Sequence, residues 1–438
     1  MKNTKVAFTP PMGWNSWDCF GASVTEDEVK QNAQYMAENL LRHGWEYVVV
    51  DIQWYEPNAN SSIYRPFADL NMDEFGRLLP AENRFPSAAQ GKGFRPLADY
   101  VHQLGLKFGI HIMRGIPRQA VSANTAILGS QYHARDIAHP YSICPWNTDM
   151  YGVDAQKPGA QEYYDSLLSL YSAWGVDFIK VDDISYTSFG VDPYAGKDEI
   201  ELIHHAIKHC GRDIVLSLSC GPAPFEHAQH LANHSHMWRL TADLWDRWQD
   251  INAMFDTCAK WAPYCGEGQW PDADMLPLGH IALRSAEHGA PERYCQLTRD
   301  EQRTMMTLWC IAKSPLMVGA HLPDNDAETL NLLTNDEVLA VNQTAHSPRQ
   351  LLHSGFQRHS VLWRSEGVDG QIYLAVFNTM NIATHIAVGL DTLGLTGKYH
   401  IRDLWERRDC GMAQNKLDVE LPCHGCILYS LTAAAPVR

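Results

Sequence analysis

From residue 10 to about 322, short runs of apolar and β-branched residues alternate with longer stretches whose apolar positions recur every three to four residues. The first texture predicts strands and the second predicts helices packed by one face. Strands are predicted at MGWNSW (12–17), YVVVD (47–51), LKFGIHI (106–112), DFIKVD (177–182), IVLSLS (214–219), MWRLT (237–241) and SPLMVGAHL (314–322), with a weaker one at GEGQWPD (266–272). Between them lie amphipathic stretches such as TEDEVKQNAQYMAENLLRHG (25–44), which opens with Thr25 and Glu28 in capping-box spacing and closes on Gly44. FRPLADYVHQLG, PGAQEYYDSLLSLYSAWG, KDEIELIHHAIKHCG and TRDEQRTMMTLWCIAK have the same form. Eight strands alternating with helices predict an α/β fold, a (β/α)8 TIM barrel over residues 1–335. After LLTNDEVLAVNQ the helical period stops, and SVLWRSE, QIYLAVFNT, THIAVGL, KYHIRDLWE and CILYSL read as short strands. A C-terminal antiparallel β-sandwich over 336–438 follows from that change. Two long irregular segments, 52–92 and about 114–157, fall just after predicted strands, where loops of a barrel build sites.

Composition narrows the function. Of 438 residues 45% are hydrophobic, enough for a large core, and 51 acidic against 35 basic residues give a formal charge of −16. That balance offers no electrostatic footprint for nucleic acid or an anionic membrane, and favours a neutral or cationic small ligand. No apolar run approaches the roughly 18 residues that a spanning helix needs, and the opening MKNTKVAFTPPMGWNSW lacks a signal-peptide core, so a cytoplasmic chain is expected. Eleven scattered cysteines argue against a disulfide scaffold, and CHGC (423–426) sits between strand-like segments rather than at a helix start, which makes it structural. His227, His230 and His234 share one possible helical face, but no Cys or carboxylate framework of ligand spacing accompanies them. They read as solvated or core histidines, and no metal or organic cofactor is expected.

The chemistry gathers at strand ends. In DFIKVDDIS, Phe178, Lys180 and Asp182 project to one side, while Ile179, Val181 and Asp183 project to the other. Parity therefore selects Asp182, beside Lys180, as the inward-facing carboxylate. HMWRLTADLWD offers a second, Asp243, with Arg239 on the same predicted strand. Two carboxylates facing each other across a sugar supply a nucleophile and a general acid/base. Trp14, Trp17, Trp54, Trp146, Trp238 and Trp270 fall at or past predicted strand ends, some as core and a few placed to stack on a sugar face.

TPPMGWNSW, KVD (180–182), WRLTAD (238–243), WPDADML (270–276), SPLMVGAHL, LLTNDEVLAVNQ and DLWERRDCG, in this order, resemble the landmarks of glycoside hydrolase family 27, the α-galactosidase/melibiase group. The resemblance implies an exo-acting retaining α-glycosidase on a barrel with a C-terminal β domain. It makes Asp182 the nucleophile and Asp243 the acid/base. Lys180 and Arg239 then hold sugar hydroxyls, Trp17 walls the sugar, Asp51 is the first acid after the second strand, and Asp274 and Met275 lie near the rim. Lys180 should help keep Asp182 ionised, and a more enclosed Asp243 would favour its protonated form.

Departures from the family pattern bear on the sugar. Where the family has DDCW this chain has DIQW, so Ile52 replaces the second acid of a pair that grips the O4/O6 edge of galactose. Gln53, Trp54, His111 and Arg114 are nearest in sequence to take over that edge. Ser219 and Cys220 lead SCGPAP, the segment after the fifth strand where the family reads the 2-substituent, and Gly221 stands where a tryptophan is common. Bulk there comes from an inserted loop, or the pocket is more open on that side. Ile184 removes a family cysteine, in keeping with a reducing compartment. The expected partner is a small-molecule glycoside or oligosaccharide, with a homo-oligomer open. Alternatives are a glycosidase for another sugar (a β-L-arabinopyranoside, an α-glucoside or an α-N-acetylgalactosaminide), a silent sugar-binding protein, and a metal-dependent hydrolase.

Overall fold

The structure is a computed structural model and describes residues 6–187, 192–285, 291–353 and 360–434. Eight parallel strands form the barrel: β1 (Met12–Asn15), β2 (Tyr47–Val50), β3 (Lys107–Met113), β4 (Phe178–Asp182), β5 (Val215–Leu218), β6 (Met237–Arg239), β7 (Trp270–Asp272) and β8 (Leu316–Val318). They follow one another around the sheet in sequence order, with β1 also paired to β8. The remaining gap, between β7 and β8, is bridged through Leu276, whose N–H donates to the Met317 carbonyl at 2.7 Å and whose carbonyl accepts from Gly319 at 3.0 Å. All eight strands lie where the apolar runs predict them, including the weak seventh.

The strands are short and buried on both faces, which is why they read as apolar runs rather than alternations. The first barrel helix, Glu26–Asn39, begins with the expected capping box, and the Thr25 N–H donates to Glu28 at 2.9 Å. Its Val29, Ala33 and Met36 are buried in one stripe against the barrel. No helix among the described residues is long and apolar enough to cross a membrane.

The C-terminal part packs a six-stranded antiparallel sheet against a two-stranded one. Strand Ile372–Asn378 is buried along its whole length because it has two covered faces. Ile372, Leu374 and Val376 join the sandwich core, while Tyr373, Ala375 and Phe377 join the barrel-side core. Phe377 meets Phe255 of helix Trp248–Trp261 edge-on at 4.9 Å, so the sheet is cemented to the barrel rather than tethered to it.

The segment 114–157, irregular by its sequence pattern, folds instead into a three-stranded antiparallel sheet of Ile116–Pro117, Met150–Val153 and Ala138–Ile143. It is clamped to the loop after β2. Gln53 Nε2 donates to Asp149 at 3.0 Å, Tyr55 Oη donates to the same carboxylate at 2.9 Å, and Phe67 N–H donates to Thr148 Oγ1 at 2.7 Å.

Candidate active site

Asp182 ends β4, and β4 pairs in register with β3 so that His111 lies beside Lys180 and Met113 beside Asp182. Lys180 and Asp182 keep partial exposure while Ile179 and Val181 are fully buried, as strand parity requires. His111 Nε2 lies 3.1 Å from Asp182 Oδ2, and the Asp183 N–H donates to the other carboxylate oxygen at 2.8 Å. Burial alone would push the Asp182 carboxyl up, but the His111 hydrogen bond and the nearby Lys180 charge outweigh it and hold the group well below the usual range.

Lys180 Nζ reaches Asp51 Oδ2 at 2.9 Å, and Asn15 Nδ2 donates to the same oxygen at 2.8 Å. Burial opposes the ammonium, but Asp51 and Asp182 together raise Lys180 above its ordinary value and keep it charged. Asp51, His111, Lys180 and Asp182 thus form one interlocked set on β2, β3 and β4.

Across the barrel, Arg239 at the end of β6 is sandwiched between two acids. Its Nη2 lies 2.6 Å from Asp274 Oδ2 and 3.1 Å from Asp243 Oδ1. Asp274 is itself buried, takes φ +87, and accepts the Leu244 N–H at 2.7 Å. Burial first, then the charges of Asp243 and Asp272, raise its carboxyl to about 7 against the pull of Arg239. Asp243 is different, with a side chain 46% exposed and Arg239 as its ion-pair partner.

Tyr64, from the irregular loop after β2, ties the two sides together. Its ring lies nearly parallel to Trp17, with centroids 6.1 Å apart and planes 18° off, and tilts against Trp146 at 5.6 Å. Burial, then the charges of Asp182, Asp51 and Asp243, push its phenol up. A buried-side carboxylate, a more exposed one, two fixed cations and an aromatic wall can hold a neutral polyol and exchange a proton at its rim.

Comparisons with known proteins place the fold in a family. The family profile Melibiase_2, "Alpha galactosidase A", covers residues 9–155 and 149–344, and Melibiase_C, "Alpha galactosidase C-terminal beta sandwich domain", covers 357–431. The chain belongs to glycoside hydrolase family 27. A family 27 β-L-arabinopyranosidase of Geobacillus stearothermophilus superposes with a TM-score of 0.96 at 57% identity, covering 99% of this chain and 98% of that one. A protein of Bacillus halodurans with the provisional name α-N-acetylgalactosaminidase is 50% identical, with a TM-score of 0.88 and 98% of each chain covered. Alpha-galactosidase 2 of Arabidopsis thaliana is 26% identical over 99% of this chain and 91% of its own length. The chain is therefore a glycoside hydrolase, like its relatives.

Within the family 27 frame, several expected sugar contacts lie elsewhere. Trp54 is fully buried, donates its indole N–H to the His111 carbonyl at 2.7 Å and packs edge-on against Phe94 and Trp174, so it is core. Gln53 is buried and spent on Asp149. His111 has no exposed surface and turns Nε2 to Asp182, with Nδ1 making no hydrogen bond among the described residues. Arg114 is held by Asp183 at 2.9 Å and Glu199 at 3.1 Å, so it pairs with the carboxylate that strand parity turns away from Asp182. Asp274 lies behind Arg239 rather than at the rim, and Asp243 is not enclosed. Trp14, Trp238 and Trp270 are core, leaving Trp17 and Trp146 of the six.

Ser219 is buried and its carbonyl accepts from Ile184, whereas Cys220 keeps partial exposure. Burial, then Asp182 and Asp183, push the Cys220 thiol up, so it stays neutral. At Gly221 an added Cβ would lie 2.2 Å from the Thr241 carbonyl, so the backbone just past β6 excludes any side chain there. All eleven cysteines are free.

Three residues of this site escaped the sequence reading. Tyr64 sits in a loop without periodicity, and Asn15 gave no signal beyond its place in GWNSW. Asp18, just past β1, is buried with Oδ2 unpartnered among the described residues. Burial, then the charges of Asp274 and Asp243, push its carboxyl well above its ordinary value.

Proposed function

We propose that this chain is a retaining exo-glycosidase whose preferred substrate is a β-L-arabinopyranoside, with α-galactosides cleaved less well. Asp182 attacks the anomeric carbon, while Asp243 protonates the departing oxygen and then draws a proton from water. The pinned, ionised state of Asp182 suits a nucleophile, and the exposure of Asp243 suits a group that must trade its proton with solvent. Lys180, Asp51, Arg239 and Trp17 hold the sugar between them.

The observation that carries the choice of sugar is Ile52. It lies two residues past β2, is buried, and donates its N–H to Asp51 Oδ1 at 2.8 Å. Where the family pattern has two acids this chain has one acid and a hydrocarbon, and on our reading the O4/C6 edge of the sugar meets that pair. L-Arabinopyranose has the ring configuration of galactose without the C6 hydroxymethyl group. A C6 hydroxyl pressed against Ile52 would lose its water without regaining a partner, costing about 1–3 kcal/mol, whereas a pentose has nothing there to lose. The 57% identity to a β-L-arabinopyranosidase supports the same reading.

The test is a panel of nitrophenyl glycosides: β-L-arabinopyranoside, α-galactoside, α-glucoside and α-N-acetylgalactosaminide. The highest kcat/KM is expected on the arabinopyranoside. A higher value on the galactosaminide or glucoside would refute the assignment.

A further inference from the structure

The histidines at 227–236 gain in three dimensions the carboxylate their own segment lacks. Helix Ala228–His234 lies beside helix Lys197–His209. His230 and His234, one turn apart, stack with ring centroids 4.1 Å apart, and Glu201 of the neighbouring helix places Oε1 3.0 Å from His230 Nε2. One donor atom from each of Glu201, His230 and His234 fits within a span of 4.8 Å. Each ring is also oriented through its other nitrogen. His230 Nδ1 is 2.7 Å from the Tyr194 hydroxyl, and His234 Nδ1 donates to the His230 carbonyl at 2.8 Å. The second bond fixes the tautomer, because a carbonyl oxygen can only accept, and the lone pair of the neutral His234 ring falls on Nε2. His227 is not part of the set and stacks on Tyr194 at 4.5 Å.

We propose that Glu201, His230 and His234 form a site for one transition-metal dication of the Zn2+ type, clipping together the helices that follow β4 and β5. Two imidazoles and a carboxylate are the donors such ions prefer over hard cations. An oxygen on the second nitrogen of each ligating histidine is the usual way its orientation is set, and Tyr194 and the His230 carbonyl occupy those places. Tetrahedral bonds of about 2.0–2.1 Å put donors roughly 3.3 Å apart. The present spacing reaches that by small adjustments, because the Glu201 side chain is 48% exposed and free to turn. The same exposure leaves the remaining coordination position to water.

Calorimetric titration of the full chain with ZnCl2, alongside thermal unfolding, tests the site. One Zn2+ per chain should bind at this site and raise the unfolding temperature. A His230→Ala/His234→Ala double variant should lose that binding and that stabilisation. Tyr194→Phe, which keeps the ring and removes only the orienting hydroxyl, should weaken binding by on the order of tenfold. CaCl2 should produce neither effect. His209→Ala, at the separate His205–His209 stack of 4.1 Å, should bind as wild type does. Equal Zn2+ affinity and stoichiometry in the wild type and the double variant would overturn the proposal, and so would Ca2+ binding as tight as Zn2+.

Discussion

Asp182 ends β4 and Asp243 lies in the loop just past β6, and their surroundings are opposite. Asp182 is gripped on both oxygens, by His111 and by the Asp183 N–H, with the Lys180 charge on its flank. Asp243 stands half in solvent and leans on Arg239, its one ion-pair partner among the described residues, and that arginine is shared with Asp274. A carboxylate that must stay ionised and in line gains from every fixed donor. One that must carry a proton in half the cycle and release it in the other gains from water and from a partner that another acid also claims. The asymmetry is what the proposed division into nucleophile and acid/base requires, and it can be read without reference to sequence order.

The sharpest way to break this contrast is to neutralise each member in turn. Asp182→Asn should reduce turnover to background on every substrate, because an amide cannot form the glycosyl ester. Azide should then restore some cleavage of dinitrophenyl glycosides by attacking from the opposite face. Near-normal turnover in this variant would remove Asp182 from the mechanism. Asp243→Asn should cost roughly 10²–10⁴-fold on sugar or alkyl aglycones and much less in the first step on dinitrophenyl ones, whose departure needs little protonation. Equal losses on both would make Asp243 a cap of the β6 loop instead.

A smaller effect is expected beside the buried member. Ile52→Asp adds a second acid next to Asp51 and restores the family pattern, so the ratio of α-galactoside to β-L-arabinopyranoside kcat/KM should rise roughly tenfold to a hundredfold. An unchanged ratio, with both activities merely damaged, would mean that the loop after β2 is shaped differently here and that Ile52 does not face C6.

The contrast between the two aspartates was only half legible in the sequence. Parity along FIKVD put Lys180 and Asp182 on one face because a strand has a period of two, and that local rule holds in the structure. The eight strands were equally plain, since a strand covered on both faces must be apolar throughout. What surrounds Asp182 was not legible. His111 faces it because β3 and β4 pair in register, a fact of the fold and not of either segment. Tyr64 arrives from a loop held in place by Asp149, 85 residues further along the chain. The sheet within 114–157 escaped because Ala138–Ile143 carries Pro140 and exposes Tyr141 and Ile143, so neither alternation nor an apolar run marks it. Strand Arg408–Ala413 is exposed at five of its six positions and gives no pattern for the same reason.

The subtlest prediction concerns what pins the buried member. Burial would raise the Asp182 carboxyl, and the His111 hydrogen bond is the first of the effects that reverse this. His111→Phe fills the site but removes the donor, so the Asp182 value should rise. The nucleophile must be ionised to attack, so the acidic limb of kcat/KM should move to higher pH. Stability should shift in the same sense. A carboxylate depressed below its unfolded value of about 3.9 adds stability above that pH and loses it as pH falls through the folded value. Raising the folded value shrinks that contribution and brings acid unfolding to higher pH. His111→Gln, whose side-chain amide can still donate, should return the limb toward its wild-type place. If His111→Phe lowers the unfolding temperature equally at all pH values and leaves the limb where it was, the histidine only fills space, and the pinning of Asp182 must be credited to Lys180 and the Asp183 N–H.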